Sequence, residues 1–328
     1  MLLLGFHRGS LSSLDDMMRR NLCNQCNSRY PSALDSYSMG RKSRWLVEVH
    51  TRDVRTTIQK FFYRNGQLRE VLPLRNGQRH GVARVWHKNG RLASEEYYAN
   101  GLLHGFCRQW SEAGRLLGKY KMVHGTGIQR AWHDNGRRQM EISTLRGEFC
   151  GRSRSWLSDG TLLSDDIYLR GSVVGADDYR AAAVKDKGLP KLGRVVAKAV
   201  KPVTEEHIHR VFVSAMLAKP NRFEALTWLR GKRKLDTARS VGRFKRESDA
   251  VGFVIALHHV GAVEVIAPDV YSNKAGDQFT DSLLVRLPRT PAKRKAIRKV
   301  CAQLQKRRLG AIQPDTDFGE THLFLSLA

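Results

Sequence analysis

Glycine returns along the first half of this chain at an almost fixed interval. Gly66, Gly90, Gly114, Gly136 and Gly160 are spaced 24, 24, 22 and 24 residues apart. Four residues ahead of each stands an aromatic side chain: Phe62, Trp86, Trp110, Trp132 and Trp156. A second glycine follows, at Gly81, Gly105, Gly127, Gly151 and Gly175, with the interval two residues shorter in the third copy. Five copies fill residues 58–175. Such a period marks an array in which each small unit is stacked on the next, because none can bury its own apolar groups alone.

Each copy carries two turn signals flanked by runs of Val, Ile, Leu, Trp and Tyr, which reads as two short strands per repeat. Asn65-Gly66, Asn89-Gly90, Asn135-Gly136 and Asp159-Gly160 are dipeptides favoured in two-residue type I′ hairpins, where both central residues take positive φ. The third copy has Ala113-Gly114 and should turn less cleanly. A two-residue loop sets Lys60 opposite Val71, Arg84 opposite Glu95, Arg108 opposite Lys119, Arg130 opposite Glu141 and Arg154 opposite Asp165. Three of these five pairs are of opposite charge, a contribution of about 0.2–1 kcal/mol each on a sheet surface. The same counting puts Leu68, Leu92, Leu116 and Leu162, with Tyr98 and Tyr168, on the face away from the Trp residues and the charge pairs.

The position two before the aromatic is basic in every copy: Lys60, Arg84, Arg108, Arg130 and Arg154. Copies lie two strands apart, so these charges should recur about every 10 Å. A positive ladder beside a Trp ladder could hold an acidic peptide, an anionic lipid surface or a single nucleic-acid strand. The plainer alternative is a solvated sheet face whose cations pair with Glu95, Glu141 and Asp165.

The unit W-x-x-[ND]-G-x-L-x-x-[ED]-x-x-Y-x-x-G-x-x-H-G resembles the MORN-variant repeat of bacterial YwqK-type antitoxin-like proteins. Copy two carries it most fully, with Trp86, Asn89, Gly90, Leu92, Glu95, Tyr98, Gly101, His104 and Gly105. Copy three departs at Ala113 and Lys119, and copy four at Arg138. The resemblance covers residues 58–175, and it implies an elongated β-meander that binds other macromolecules and has no catalytic residues of its own.

Beyond Gly175 the period stops. Residues 176–204 turn rich in Ala, Lys and Val, with Pro190 and Pro202, and read as a basic linker. Within it LGRVVAKAVK gathers Leu192, Val195, Val196, Ala199 and Val200 on one side of a short amphipathic helix. Residues 205–328 read as an α+β domain: a strand at 209–217, helices at 222–229 and 245–260, strands at 263–270 and 282–287, a helix from Pro291 to about Arg308, and a last strand at 321–327. That succession resembles a ferredoxin-like sandwich. Residues 1–44 lack periodicity and read as a poorly ordered leader, which leaves 45–175 to the repeats.

Lys and Arg number 57 against 31 Asp and Glu, a formal charge of +26 that favours anionic partners. Five scattered cysteines suit a reducing compartment, so the cytoplasm is the expected location. The opening MLLLGF is too short for a signal-peptide core. Candidate chemistry is sparse. Cys23-x-x-Cys26 is half of a zinc site with no second half nearby. His207, His209, His258 and His259 fit strand edges and helix ends, and Asp269, Asp277 and Asp281 stand among turn formers. No phosphate loop, nucleophile elbow or zinc-protease motif occurs. The expectation is a non-catalytic binding or scaffold protein, with no cofactor, metal or small-molecule substrate, that takes an acidic protein partner such as a toxin. The competing class is a nucleic-acid or ribosome-associated protein, and an anionic membrane surface is a further partner open to such a charge.

Overall fold

The computed structural model describes residues 44–51, 54–193, 202–232, 236–309 and 317–327. The leader with Cys23 and Cys26, and most of the amphipathic stretch expected at 192–201, lie outside these residues.

The repeats form one antiparallel sheet of fourteen strands that follow one another in chain order. Its strands are β1 Arg44–Thr51, β2 Val54–Phe62, β3 Leu68–Arg75, β4 Gln78–Arg79, β5 Gly81–Trp86, β6 Leu92–Ala99 and β7 Leu102–Leu103. They continue with β8 Gly105–Trp110, β9 Leu116–Val123, β10 Thr126–Trp132, β11 Arg138–Leu145, β12 Glu148–Trp156, β13 Leu162–Leu169 and β14 Ser172–Val173. The short β4 and β7 pair with β3 and β6 at the sheet's margin.

All five expected cross-strand pairs are present, from Lys60 opposite Val71 to Arg154 opposite Asp165. The turns that set them are of another type. Gly66 has φ +78° and Gly90 +81°, whereas Asn65, Asn89, Asn135 and Asp159 are not among the residues with positive φ. In the first copy the Gly66 amide donates to the Tyr63 carbonyl at 2.9 Å and the Tyr63 amide to the Gln67 carbonyl at 2.8 Å. That is a three-residue loop, a type I turn closed by a left-handed glycine. A one-residue register shift at each aromatic, as between Val85 and Trp86, then restores the pairing that a two-residue loop would have given. The type I′ turns stand at the other ends of the strands, where Asn76-Gly77, Asn100-Gly101, His124-Gly125, Arg146-Gly147 and Arg170-Gly171 have positive φ at both residues.

The shift also corrects the expected division of faces. Leu68, Leu92, Leu116 and Leu162 pair directly with Phe62, Trp86, Trp110 and Trp156, so they accompany the aromatics rather than opposing them. Tyr98 does lie opposite the charge pairs, on a buried face with Ala83, Cys107, Tyr120, Met122 and Ile142. The other face carries the basic column; beside its last strands it is covered in part, where Cys150 and Ile167 are buried against Tyr179 and Leu189, and elsewhere it is open to solvent.

Helix α1, Ala176–Lys185, lies within the stretch read as a linker and closes the last repeat. Its Tyr179 is buried against Cys150, Ile167 and Leu189, and donates a hydrogen bond to the Pro190 carbonyl at 2.8 Å. An array that stacks on itself needs such a cover at its end.

The C-terminal unit holds helices α2 Glu205–Leu217, α3 Ala225–Arg230, α4 Glu247–His259 and α5 Pro291–Leu309. Its strands are β15 Phe223–Glu224, β16 Arg239–Val241, β17 Glu264–Ala267, β18 Tyr271–Ser272, β19 Gln278–Thr280, β20 Ser282–Arg286 and β21 His322–Ser326. The main sheet runs β15-β17-β20-β21, all antiparallel, and β16, β19 and β18 form a small second sheet. The expected strand at 209–217 is instead helix α2. Thr204 caps it by accepting from the His207 amide, and Ile208, Phe212, Val213 and Met216 make its apolar stripe. Alternate residues of the sheet face two ways: Val265, Leu283 and Leu325 toward the main core with α4 and α5, Ile266, Leu284 and Phe324 toward α2. The strands therefore lie in chain order between helices on both faces, whereas a ferredoxin-like sandwich interleaves its strands and covers one face only. The α+β class holds, and the ferredoxin-like form of it does not.

Candidate binding face of the repeat sheet

The open face carries one continuous row of side chains across ten strands. Successive partners run Lys60, Val71, Arg84, Glu95, Arg108 and Lys119. The register of β10 on β9 brings Arg130 beside Lys119, and the row goes on through Glu141, Arg154 and Asp165. All five residues of the basic column are thus brought together on one face. Six cations share the row with three acids.

Each of two acids is held between two arginines. Glu95 accepts from Arg84 Nε at 2.9 Å and from Arg108 at 2.8 Å. Glu141 accepts from Arg130 Nε at 3.0 Å and from Arg154 at 2.7 Å, with Arg138 beside it at 3.1 Å. Burial works against the Glu141 charge, yet these guanidinium groups hold its carboxyl below the usual range. Asp165 turns from its register partner Arg154 to Arg152, which donates to it at 2.6 Å from Nε. Two Arg-Glu-Arg clamps thus each leave one positive charge unneutralised.

Two rings of the aromatic column, those of Trp132 and Trp156, are covered rather than free beside these charges. Trp132 is buried and lies over Gly118, where an added Cβ would fall 2.2 Å from the ring. Arg138 covers Trp132 at 4.9 Å and Arg154 covers Trp156 at 5.2 Å. Among the apolar side chains that do stand open are Tyr97, Phe106 and Ile128, 38%, 46% and 42% exposed. Lys121, the partner of Phe106, holds its ammonium 5.7 Å from that ring. These four play no part in the periodic columns. Their only sign in the sequence is strand parity with the basic column.

The candidates for chemistry elsewhere are divided. Asp269 and Asp281 converge on Lys88 of the second repeat, at 3.9 and 2.8 Å, and Asp269 also meets Lys219 at 3.3 Å. Burial opposes the Asp281 charge, but Lys88 and the Tyr271 hydroxyl hold its carboxyl below the usual value. Asp277 is separate, accepting from the Ala238 amide at 2.8 Å in a turn with Asn273. His207 lies 3.0 Å from Asp159, His209 bonds the His322 carbonyl, and His258 is 4.0 Å from Glu224. Among the described residues no three His, Cys, Asp or Glu side chains stand together in a way that could hold a metal ion. No described helix is long and apolar enough to cross a membrane.

Comparison with known proteins adds the following. No curated protein matches the chain. A solved structure described as "Crystal structure of GtfA/B complex bound to UDP and GlcNAc" is 9% identical over 49% of this chain and 30% of its own, with a TM-score of 0.18. A likeness that slight carries no argument. The family model of the MORN repeat variant matches residues 55–76 and 79–100. Such repeats point to a non-catalytic binding or scaffold role. Two copies of the repeat thus match that model, and three more share their sequence columns and hairpin geometry.

Proposed function

We propose that this chain is a non-catalytic binding protein whose repeat sheet presents a basic face to an acidic protein partner. The observation that carries this reading is the row across the open face, where six cations stand against three acids and two of the acids are already clamped. Excess charge on a fixed grid attracts an anionic partner and orients it. A protein fits better than a nucleic-acid strand, because Trp132 is buried and guanidinium groups cover Trp132 and Trp156, which reduces the stacking surface bases would need. The antitoxin-like version, with a toxin as the acidic partner, rests on the sequence resemblance alone, and the cytoplasmic setting on the five scattered cysteines. Co-precipitation of the full chain from native lysate, with and without nuclease, tests the reading. It expects acidic proteins that stay bound after nuclease. Loss of every partner on nuclease treatment would assign the basic surface to nucleic acid.

A further inference from the structure

The ladder is irregular at its centre. In copies two, four and five the position facing the basic column is acidic, as Glu95, Glu141 and Asp165. In copy three it is Lys119, so Arg108, Lys119 and Arg130 stand abreast on β8, β9 and β10 across about 10 Å with no acid between them. Like charges side by side on a sheet weaken it, and the repeat's own glutamate would have removed the conflict. Arg108 and Arg130 are drawn outward to Glu95 and Glu141, while Lys119 makes no ion pair among the described residues.

Next to this triple, one step along the same strands, the open face becomes apolar. Phe106 precedes Arg108 by two residues and Ile128 precedes Arg130 by two, so both share the face of the cations. Their exposure is 46% and 42%. Lys121 lies between them in the register, its ammonium toward the Phe106 ring.

Resting on the binding function proposed above, we infer that the third and fourth repeats form its recognition site: an extended acidic segment of a protein partner lies across β8 to β10. Its carboxylates meet Lys119 between Arg108 and Arg130, and an alternate apolar side chain packs between Phe106 and Ile128. Charge complementarity selects the acid. An aliphatic side chain beside a phenyl ring already met by Lys121 suits an apolar side chain better than a stacked base. Alternation of acidic and apolar residues in an extended chain matches a charged row and an apolar row side by side.

The test uses the full chain and a labelled peptide of about ten residues in which Glu and Leu alternate, long enough to lie across several strands. Wild type should bind this peptide and lose most of that binding when Gln replaces its Glu residues or Ser its Leu residues. Lys119→Glu should weaken binding by about tenfold or more, since the new carboxylate repels the ligand and engages both neighbouring arginines. The same variant should be at least as stable to heat as wild type, because it restores the repeat's own clamp, so its defect cannot be misfolding. Phe106→Ser with Ile128→Ser, both at exposed positions, should weaken binding of the Glu-Leu peptide to a similar degree. Unchanged affinity in Lys119→Glu and in the Ser double variant, with wild type binding the peptide, would overturn the site and leave the general function standing. Absence of binding to any acidic peptide by wild type would overturn both. Tighter binding of single-stranded RNA than of the peptide, lost in Lys119→Glu, would assign the site to nucleic acid and overturn the proposal.

Discussion

Single residues in the repeat have duties that the sequence pattern does not separate. His104, in the His-Gly column, accepts at Nδ1 from the His124 amide at 3.3 Å, which pins the next type I′ turn, and His80 does the same for Asn100 at 3.4 Å. Glu95 and Glu96 are adjacent in a strand, so one must face outward and the other inward. Glu95 is clamped on the open face. Glu96 is buried beside Ala83, accepts from the Tyr98 hydroxyl at 2.7 Å, and has Arg79 and Glu70 as its charged neighbours. Burial pushes its carboxyl up to about 7, against the Tyr98 bond and the Arg79 charge. A folded-state value above the ordinary 4.5 means that the fold binds the proton more tightly than the unfolded chain. Stability therefore falls as pH rises from about 4.5 to 7, by about 3 kcal/mol in all, and stays low above that. Glu96→Gln should remove this slope and raise the denaturation midpoint at pH 8, with little change at pH 4. Equal midpoints for the two proteins at pH 8 would contradict the burial of an ionisable group there.

At the scale of elements, the hairpins were legible in the sequence and their turns were not. Pairing depends only on offsets from the glycine, and the bulge at each aromatic returns the strands to the same offset, so two turn types give one register. The choice of Asn then has a different cause. Asn89 Oδ1 accepts from the Arg91 amide at 3.0 Å, and its Nδ2 donates to the Glu112 carbonyl of the next copy at 2.8 Å. Asn135 repeats both bonds, the second to the Ser158 carbonyl. The side chain links neighbouring turns along the sheet margin. Asn89→Ala should cost about 1–2 kcal/mol, the net worth of two hydrogen bonds, measurable by urea unfolding. Asn89→Asp, which keeps the Oδ1 acceptor, should recover part of that loss. If Asn89→Ala were neutral, the lateral bond would be an ornament of the turn. Helix α2 was missed because Val211, Val213, Ala215 and Leu217 alternate well enough for a strand, while the Thr204 cap and the acidic Glu205 and Glu206 after it were the contrary signal. Helix α1 lacked a strong apolar stripe and is held by Tyr179 packing on a repeat, a contact that no local pattern announces.

Over the whole molecule the two units meet through polar groups. Every core cluster of described residues lies within one unit, the repeats with α1 or the C-terminal sheet with its helices. Across the boundary Lys88 meets Asp281, Glu112 meets Lys219 at 2.7 Å, Asp159 meets His207, and Asn65 Nδ2 donates to the Ser272 carbonyl at 3.3 Å. Burial works against the Lys219 charge, but Asp269 and Glu112 hold its ammonium above the ordinary value. The C-terminal unit thus occupies the margin of first turns and leaves the basic row open. The row itself was legible as a column of Lys60, Arg84, Arg108, Arg130 and Arg154. Its pairing could be foreseen only where an acid faced it, and the apolar neighbours Phe106 and Ile128 follow from strand parity alone. Two basic surfaces compete for an acidic partner: this row and the exposed Lys293, Lys295 and Lys299 of α5. Lysine acetylation footprinting of the full chain, with and without saturating polyglutamate, decides between them. Protection of Lys119 and Lys121, with the α5 lysines still reactive, is the predicted result; protection of Lys293, Lys295 and Lys299 while Lys119 and Lys121 stay reactive would contradict the assignment of binding to the repeat sheet.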